Sequence, residues 1–204
     1  QTGLININPA AAPPLIEDFQ AASFPPSNWL VDASNSIYTW EKSPSITGIG
    51  GTPTLAARIN NFSYNGNGAE DGLLTYEVDL SNALAAQITF DVAYARYSAP
   101  YSDTMRIDVS TDCGNTFVPS GYFKGGLDLA TAGTLTTTFI PSAATDWRKD
   151  TVWLNSFIGQ NVLIKFVNIC WYGNVLYLDN VNLDITTGLH TLNQSDHQIK
   201  LSPN

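Results

Sequence analysis

Two short stretches carry acids inside otherwise apolar, strand-like runs: LIEDFQ at 15–20 and NVLYLDNVNL at 174–183. An acid in such a run ordinarily faces solvent. The alternative is that it turns inward onto a metal ion or a buried hydrogen-bond network, because an unpaired buried carboxylate is too costly to keep. First and last strands commonly pair in sandwiches whose termini lie close together, and such pairing would bring Glu17, Asp18 and Asp179 into one place. The chemistry of that place is that of a hard cation. Calcium takes roughly six to eight oxygens from carboxylates, amides and main-chain carbonyls. The loops INNFSYNGNGAED (59–71) and SAPYSD (98–103) would complete its shell through Asn61, Asp71 or Asp103. The competing reading is a set of solvated strand-edge acids.

Catalytic chemistry has less to stand on. The two histidines, His190 and His197, lie in a polar C-terminal tail, and no G-x-S-x-G, H-E-x-x-H or Walker pattern occurs. Glu17, Asp18, Glu41, Glu70, Asp71 and Glu77 are available for carboxylate-pair hydrolysis of glycosides, but no spacing sets two of them across a cleft. The chain is therefore expected not to be an enzyme. Cys113 and Cys170 are too far apart in sequence for a CxxC motif. They are either a disulfide between strand ends, as an oxidising compartment allows, or two free thiols. Most of the five tryptophans read as core. Trp171 and Tyr172, followed by Gly173-Asn174, fall in a turn, and Tyr97 and Tyr101 flank another loop. These four are the candidate ligand-binding aromatics, suited to a sugar platform.

The elements that must hold these residues show a period of two. Ile88, Phe90, Val92 and Tyr94 alternate with smaller or polar residues, as do Met105, Ile107 and Val109. Val162, Ile164 and Phe166 alternate with mixed positions, which predicts a strand covered on both faces. LIEDF, YTWEK, TLAARI, LLTYEVDL, TFVPSGYF and TVWLN supply further strands, whereas SNALAA (81–86) suits a turn of helix. About ten strands without a long 3.6-residue pattern predict an all-β fold, an antiparallel jelly-roll β-sandwich. Residues 1–14 read as a linker, 15–186 as the sandwich and 187–204 as a polar linker.

The 204 residues are 44% hydrophobic, enough for one sizeable core, and only 13% charged. With 9 Lys+Arg against 18 Asp+Glu, the net charge of −9 excludes nucleic acid and anionic membranes as natural partners. No stretch approaches the roughly 20 apolar residues of a membrane-spanning helix, so no membrane insertion is expected. Low charge and abundant Asn, Thr, Ser and Tyr suit a secreted or cell-surface protein, and Gln1 reads as a cut from a longer precursor.

The ordered series EDFQAASFPPSNWLVD, SDTMRIDVSTDCGNTF, FIPSAATDWRKDTVWLNSFIGQNVLIKFVN and YGNVLYLDNVNL resembles the cleaved-adhesin and choice-of-anchor J modules of secreted Bacteroidota proteins, which are similar to MAM domains. The resemblance covers nearly all of 15–185. It implies a jelly roll with structural calcium, bound by the acid of the opening strand and by the Asp of the D-[DN]-[VI] strand. Those positions are Glu17 and Asp179 here, with Asp71 and Asp103 as weaker carry-overs. The tail IKLSPN is similar to the start of the sorting domain used in type IX secretion, and D-[ST]-apolar tripeptides of that lineage can be O-glycosylated, which singles out Thr104 and Thr151. The sequence thus leads to a non-catalytic, calcium-stabilised adhesion or binding module, monomeric in isolation, with an extracellular protein or glycan as partner. The alternatives are a carbohydrate-binding module of a polysaccharide-degrading enzyme and an accessory domain of a secreted metallopeptidase.

Overall fold

The alternating runs become strands in a computed structural model that describes residues 9–33 and 37–188. In chain order they are β1 (Leu15–Glu17), β2 (Leu30–Asp32), β3 (Glu41–Lys42), β4 (Ile46–Thr47), β5 (Pro53–Thr54), β6 (Ala57–Asn60) and β7 (Ala69–Leu74). There follow β8 (Val78–Asp79), β9 (Ala83–Tyr94), β10 (Thr104–Ser110), β11 (Val118–Gly125), β12 (Arg148–Trp153), β13 (Asn161–Cys170) and β14 (Val175–Thr187). The only α-helix among the described residues is the single turn α1 (Gly126–Leu129). SNALAA is not helical: β9 begins at Ala83, where pairing with β14 at Thr187 outweighs the helix propensity of the alanines. His190, His197, the IKLSPN tail and most of both expected linkers lie outside the described residues. The chain is already engaged at Ala11, which makes a parallel bridge to Val78, ahead of the expected boundary at Leu15.

One sheet runs β12-β9-β14-β6-β3 with β1 also on β14; the other runs β11-β10-β13-β7-β2 with β8 also on β13. All these named-strand pairings are antiparallel, and the two sheets face each other as a sandwich. Ile88, Phe90, Val92, Leu176 and Leu178 meet Met105, Ile107, Val109, Ile164 and Phe166 in the core. Phe90 and Phe166 make an edge-to-face contact at 5.4 Å across it. A second apolar cluster covers the outer face of the first sheet, where Ala93, Ala95, Val175 and Tyr177 pack under Ile46, Ala56, Phe139 and Trp147. The first sheet is therefore buried on both faces over much of its length, which decides the environment of Asp179.

Candidate functional site

β14 puts Leu176 and Leu178 into the core and Val175, Tyr177 and Asp179 on the outer face beneath the second cluster. Asp179 is consequently 2% exposed. At Asn180 the register against β9 slips, between Asp179↔Asp91 and Asn182↔Thr89, and Asn180 adopts φ +49°. This is a β-bulge, one extra residue that re-aims the side chains after it. Beyond it Val181 and Leu183 face the core instead. Asparagine is among the few non-glycine residues that adopt this left-handed conformation readily. The bulge lies where β14 changes neighbour, from β6 at Val175–Leu178 to β1 at Val181–Leu183. The ends of β5 and β1 meet at the gap between those two partners.

Oxygen atoms gather at that gap. Gln20 Nε2 lies 2.7 Å from the Asp18 carbonyl, 3.0 Å from Thr54 Oγ1 and 2.9 Å from the Leu55 carbonyl. An amide NH2 has two hydrogens to donate, so three acceptors exceed what it can satisfy. Thr54 Oγ1 in turn lies 3.1 Å from Asp179 Oδ2, while Asp179 Oδ1 accepts the Asn180 N–H at 2.8 Å. Burial pushes the Asp179 carboxyl up to about 7, and the neighbouring charges of Asp91 and Asp18 push the same way against the hydrogen bonds from Asn180 and Thr54. Asp91, directly opposite on β9, is 1% exposed. It is neutralised by Lys149 at 2.7 Å and accepts Asn180 Nδ2 at 2.8 Å. Asp179 has no such cation among the described residues.

Glu17 behaves differently from expectation. It stands opposite Val181 in the β1–β14 pair, but its Oε1 folds back onto the Phe19 N–H at 2.6 Å, and burial raises its pKa. Glu17, Asp18, Asn180 and Lys149 line one open cleft, and of the two acids it is Asp18 whose charge bears on Asp179. Among the described residues no three His, Cys, Asp or Glu side chains form a ready metal set. Any cation there would draw on the Asp179 carboxylate together with the Thr54 hydroxyl and the carbonyls of Asp18 and Leu55. That is the hard-oxygen donor chemistry of calcium.

Asn61, Asp71 and Asp103 are elsewhere. Asp103 anchors the β13–β14 turn, five residues along β14 from Asp179 and so on the order of 17 Å away. Its Oδ1 accepts the N–H groups of Trp171 (2.9 Å) and Gly173 (3.1 Å), and its Oδ2 accepts the Asn174 N–H (2.9 Å) and the Tyr94 hydroxyl (3.1 Å). Burial raises its pKa, with the three N–H bonds opposing. The oxygens that a cation would need are thus committed to hydrogen bonds. Asn61 exchanges two amide hydrogen bonds with Asn168, whose β7 partner is Asp71, and the Asp71 carbonyl accepts Trp40 Nε1 at 2.9 Å. These buried polar groups frame one end of the sandwich.

That end carries the candidate aromatics. Tyr97 and Tyr101 meet at 6.2 Å between ring centroids, Tyr101 and Tyr172 at 5.8 Å, and Phe62 joins Tyr97 at 6.0 Å. The indole of Trp171 lies against Gly68. Trp171, Tyr172 and Tyr101 are 48%, 43% and 47% exposed. The turn has little freedom. Asn174 Oδ1 accepts the Phe139 N–H, and its Nδ2 donates to the carbonyls of Leu135 and Thr137. A Cβ at Gly173 would sit 2.3 Å from Asp103 Oδ2, so only glycine fits.

Two further expectations meet the structure here. Cys113 is exposed and Cys170 buried, and both are free. Against the disulfide reading, Ser110↔Leu163 and Thr104↔Ile169 in the β10–β13 register put the two thiols at opposite ends of the strands, far beyond the roughly 7 Å that a bridge spans. Burial pushes Cys170 up to about 11, and the Glu77 charge raises Cys113, so neither is an activated thiol. Thr104 is half-buried between β11 and β13, whereas Thr151 is exposed on β12, the edge strand of its sheet. The sequence reasoning missed Asp91, Thr54, Gln20 and Lys149. Asp91 carried a signal, as an acid in an alternating strand with Thr89 and Ala93 as its same-face neighbours; the others carried none.

No family model and no curated protein matches the chain. Among solved structures it is similar to the K1 cleaved adhesin domain of Lys-gingipain from Porphyromonas gingivalis W83, at 19% identity and TM-score 0.60, covering 85% of this chain and 99% of that one. The K3 domain of the same protein gives 17% and 0.55 over 83% and 97% of the two chains. The K2 domain of Lys-gingipain gives 14% and 0.54 over 85% and 100%. At such identities the likeness is one of fold: the chain is an all-β sandwich, as those domains are.

Proposed function

We propose that the chain is a non-catalytic binding module of a secreted or cell-surface protein, stabilised by calcium. The observation that carries the reading is the β13–β14 turn: Trp171 and Tyr172 stand half-exposed on a backbone pinned by Asp103 and Asn174. Exposed rings on a rigid turn lose little entropy when a partner orders against them, which is what a binding surface needs. The acids argue in the same direction. Asp91 and Asp179 face one another across adjacent strands and are buried, and among the described residues Lys149 pairs with Asp91 alone, which leaves Asp179 for an ion.

Calcium would be held by Asp179, Thr54 Oγ1 and the carbonyls of Asp18 and Leu55, with Glu17 near enough to contribute through the same cleft. It would neutralise the Asp179 carboxylate and tie β1 and β5 to β14, fixing the first strand onto the last. Adhesion of beads carrying the domain to surfaces coated with extracellular-matrix proteins, mucin or polysaccharide tests the binding role. At least one surface should retain the wild type and release the Tyr101→Ala/Trp171→Ala double variant. Equal retention of both forms, or none on any surface, would overturn the reading.

A further inference from the structure

We infer that the aromatic end of the sandwich binds a single chain of a neutral glycan. This rests on the binding-module reading and adds the chemistry of the partner. Phe62, Tyr97, Tyr101 and Tyr172 form a continuous line of rings, with Trp171 beside them on the same turn. Each ring is turned steeply on the last, by 60°, 70° and 82°. Such rings cannot lie together on a flat crystalline polysaccharide, which calls for coplanar faces. The exposed ones, Tyr101 and Tyr172 with Trp171 beside them, can each meet a different sugar of a flexible or helical chain.

The rim carries no charged side chain within its own segments. Its segments read YSAPYS at 97–102, YNGNG at 64–68 and WYGN at 171–174. Asp103, which follows the first, is buried and satisfied by four donors. Arg96, which precedes it, turns its guanidinium to Thr134 Oγ1. What remains are aromatic faces, amides and hydroxyls. A neutral pyranose presents the complement, an apolar C–H face edged by hydroxyls. An anionic glycan would find no cation within these segments, Arg96 beside them being turned to Thr134, and would meet a chain of net charge −9.

A protein partner suits the surface less well. Aromatic side chains bury about 150–250 Å² each, so three half-open ones offer roughly 300 Å², well short of the ~800 Å² per partner of a stable protein interface.

Affinity electrophoresis decides the matter. The domain is run through gels containing laminarin, xyloglucan, galactomannan, arabinoxylan or soluble starch, and through polygalacturonate and chondroitin sulfate as charged probes. Crystalline cellulose, chitin and immobilised fibronectin and collagen are tested by pull-down. The expected result is retardation of the wild type by at least one neutral soluble polysaccharide. Tyr101→Ala and Trp171→Ala should each weaken it at least tenfold. Trp153→Ala removes an exposed tryptophan toward the opposite end of β9 and should leave it unchanged. Far-UV circular dichroism checks that each variant is folded, and wild-type retardation is decisive without any variant. Retention by the charged probes, the crystals or the proteins alone would overturn the neutral-chain inference and leave the binding-module reading standing. Loss in Trp153→Ala equal to that in Tyr101→Ala would overturn it too. No retention by any probe would overturn both.

Discussion

At the scale of single residues, two buried aspartates solve the same problem in different ways. Asp103 offsets its burial by accepting three main-chain N–H groups and a phenol. Asp179 has one N–H, one hydroxyl and two nearby acids, and its carboxyl rises to about 7. Asp103→Ala leaves three turn N–H groups without their acceptor. Each unsatisfied buried group costs about 1–3 kcal/mol, so the variant should lose at least about 3 kcal/mol in urea unfolding. Gly173→Ala should be destabilised in the same way, because its methyl would collide with Asp103. Asp179→Asn is expected to do the opposite in metal-free protein. It removes a poorly compensated charge and should melt no lower than the wild type at pH 8, while losing any response to calcium.

The elements explain why the acids are where they are. β14 crosses from β6 to β1 at the Asn180 bulge, and the gap between those partners is the acid site. Both Asn180→Val and Asn180→Gly lose the bond to Asp91, but the valine also puts a β-branched residue at φ +49° and should cost about 1–2 kcal/mol more than the glycine. β10 and β13 hold the two cysteines at opposite ends. A thiol reagent should therefore count one reactive cysteine in the native protein, Cys113, and two after unfolding.

The long strands, the pairing of first with last strand and the aromatic turn were legible in the sequence, because period-two alternation and the WYGN turn are local signals. The split of the acids was not. Asn61, Asp71 and Asp103 look like Asp179 in composition, and only the register of β7, β13 and β14 sends them to the aromatic end. Likewise, β3 keeps only Glu41–Lys42 of YTWEK because Trp40 turns into the core and donates to the Asp71 carbonyl. The carbonyl oxygens at Asp18 and Leu55 have no residue type to betray them, so no sequence reading finds a site built partly of backbone.

For the whole molecule, the raised carboxyls set the response to pH. A carboxyl whose pKa is raised on folding favours the folded state when protonated. Its cost is absent below the unfolded value of 3.8 and complete above the folded one, about 7 for Asp179. At about 1.4 kcal/mol per pKa unit the cost at pH 8 is at most on the order of 4 kcal/mol. Glu17 and Asp103 shift in the same direction. The metal-free domain should accordingly gain stability as pH falls from 8 to 5, and calcium should flatten that dependence by taking the proton's place.

The most direct measurement is a thermal melt of the metal-stripped domain at pH 8, with and without millimolar calcium, repeated on Asp179→Ala. A ligand at a hundred times its dissociation constant adds about 2.7 kcal/mol, which for a domain of this size raises the Tm by roughly 5–10 °C. The account predicts that rise in the wild type and its absence in Asp179→Ala. An unchanged wild-type Tm, or an equal rise in the variant, would contradict it.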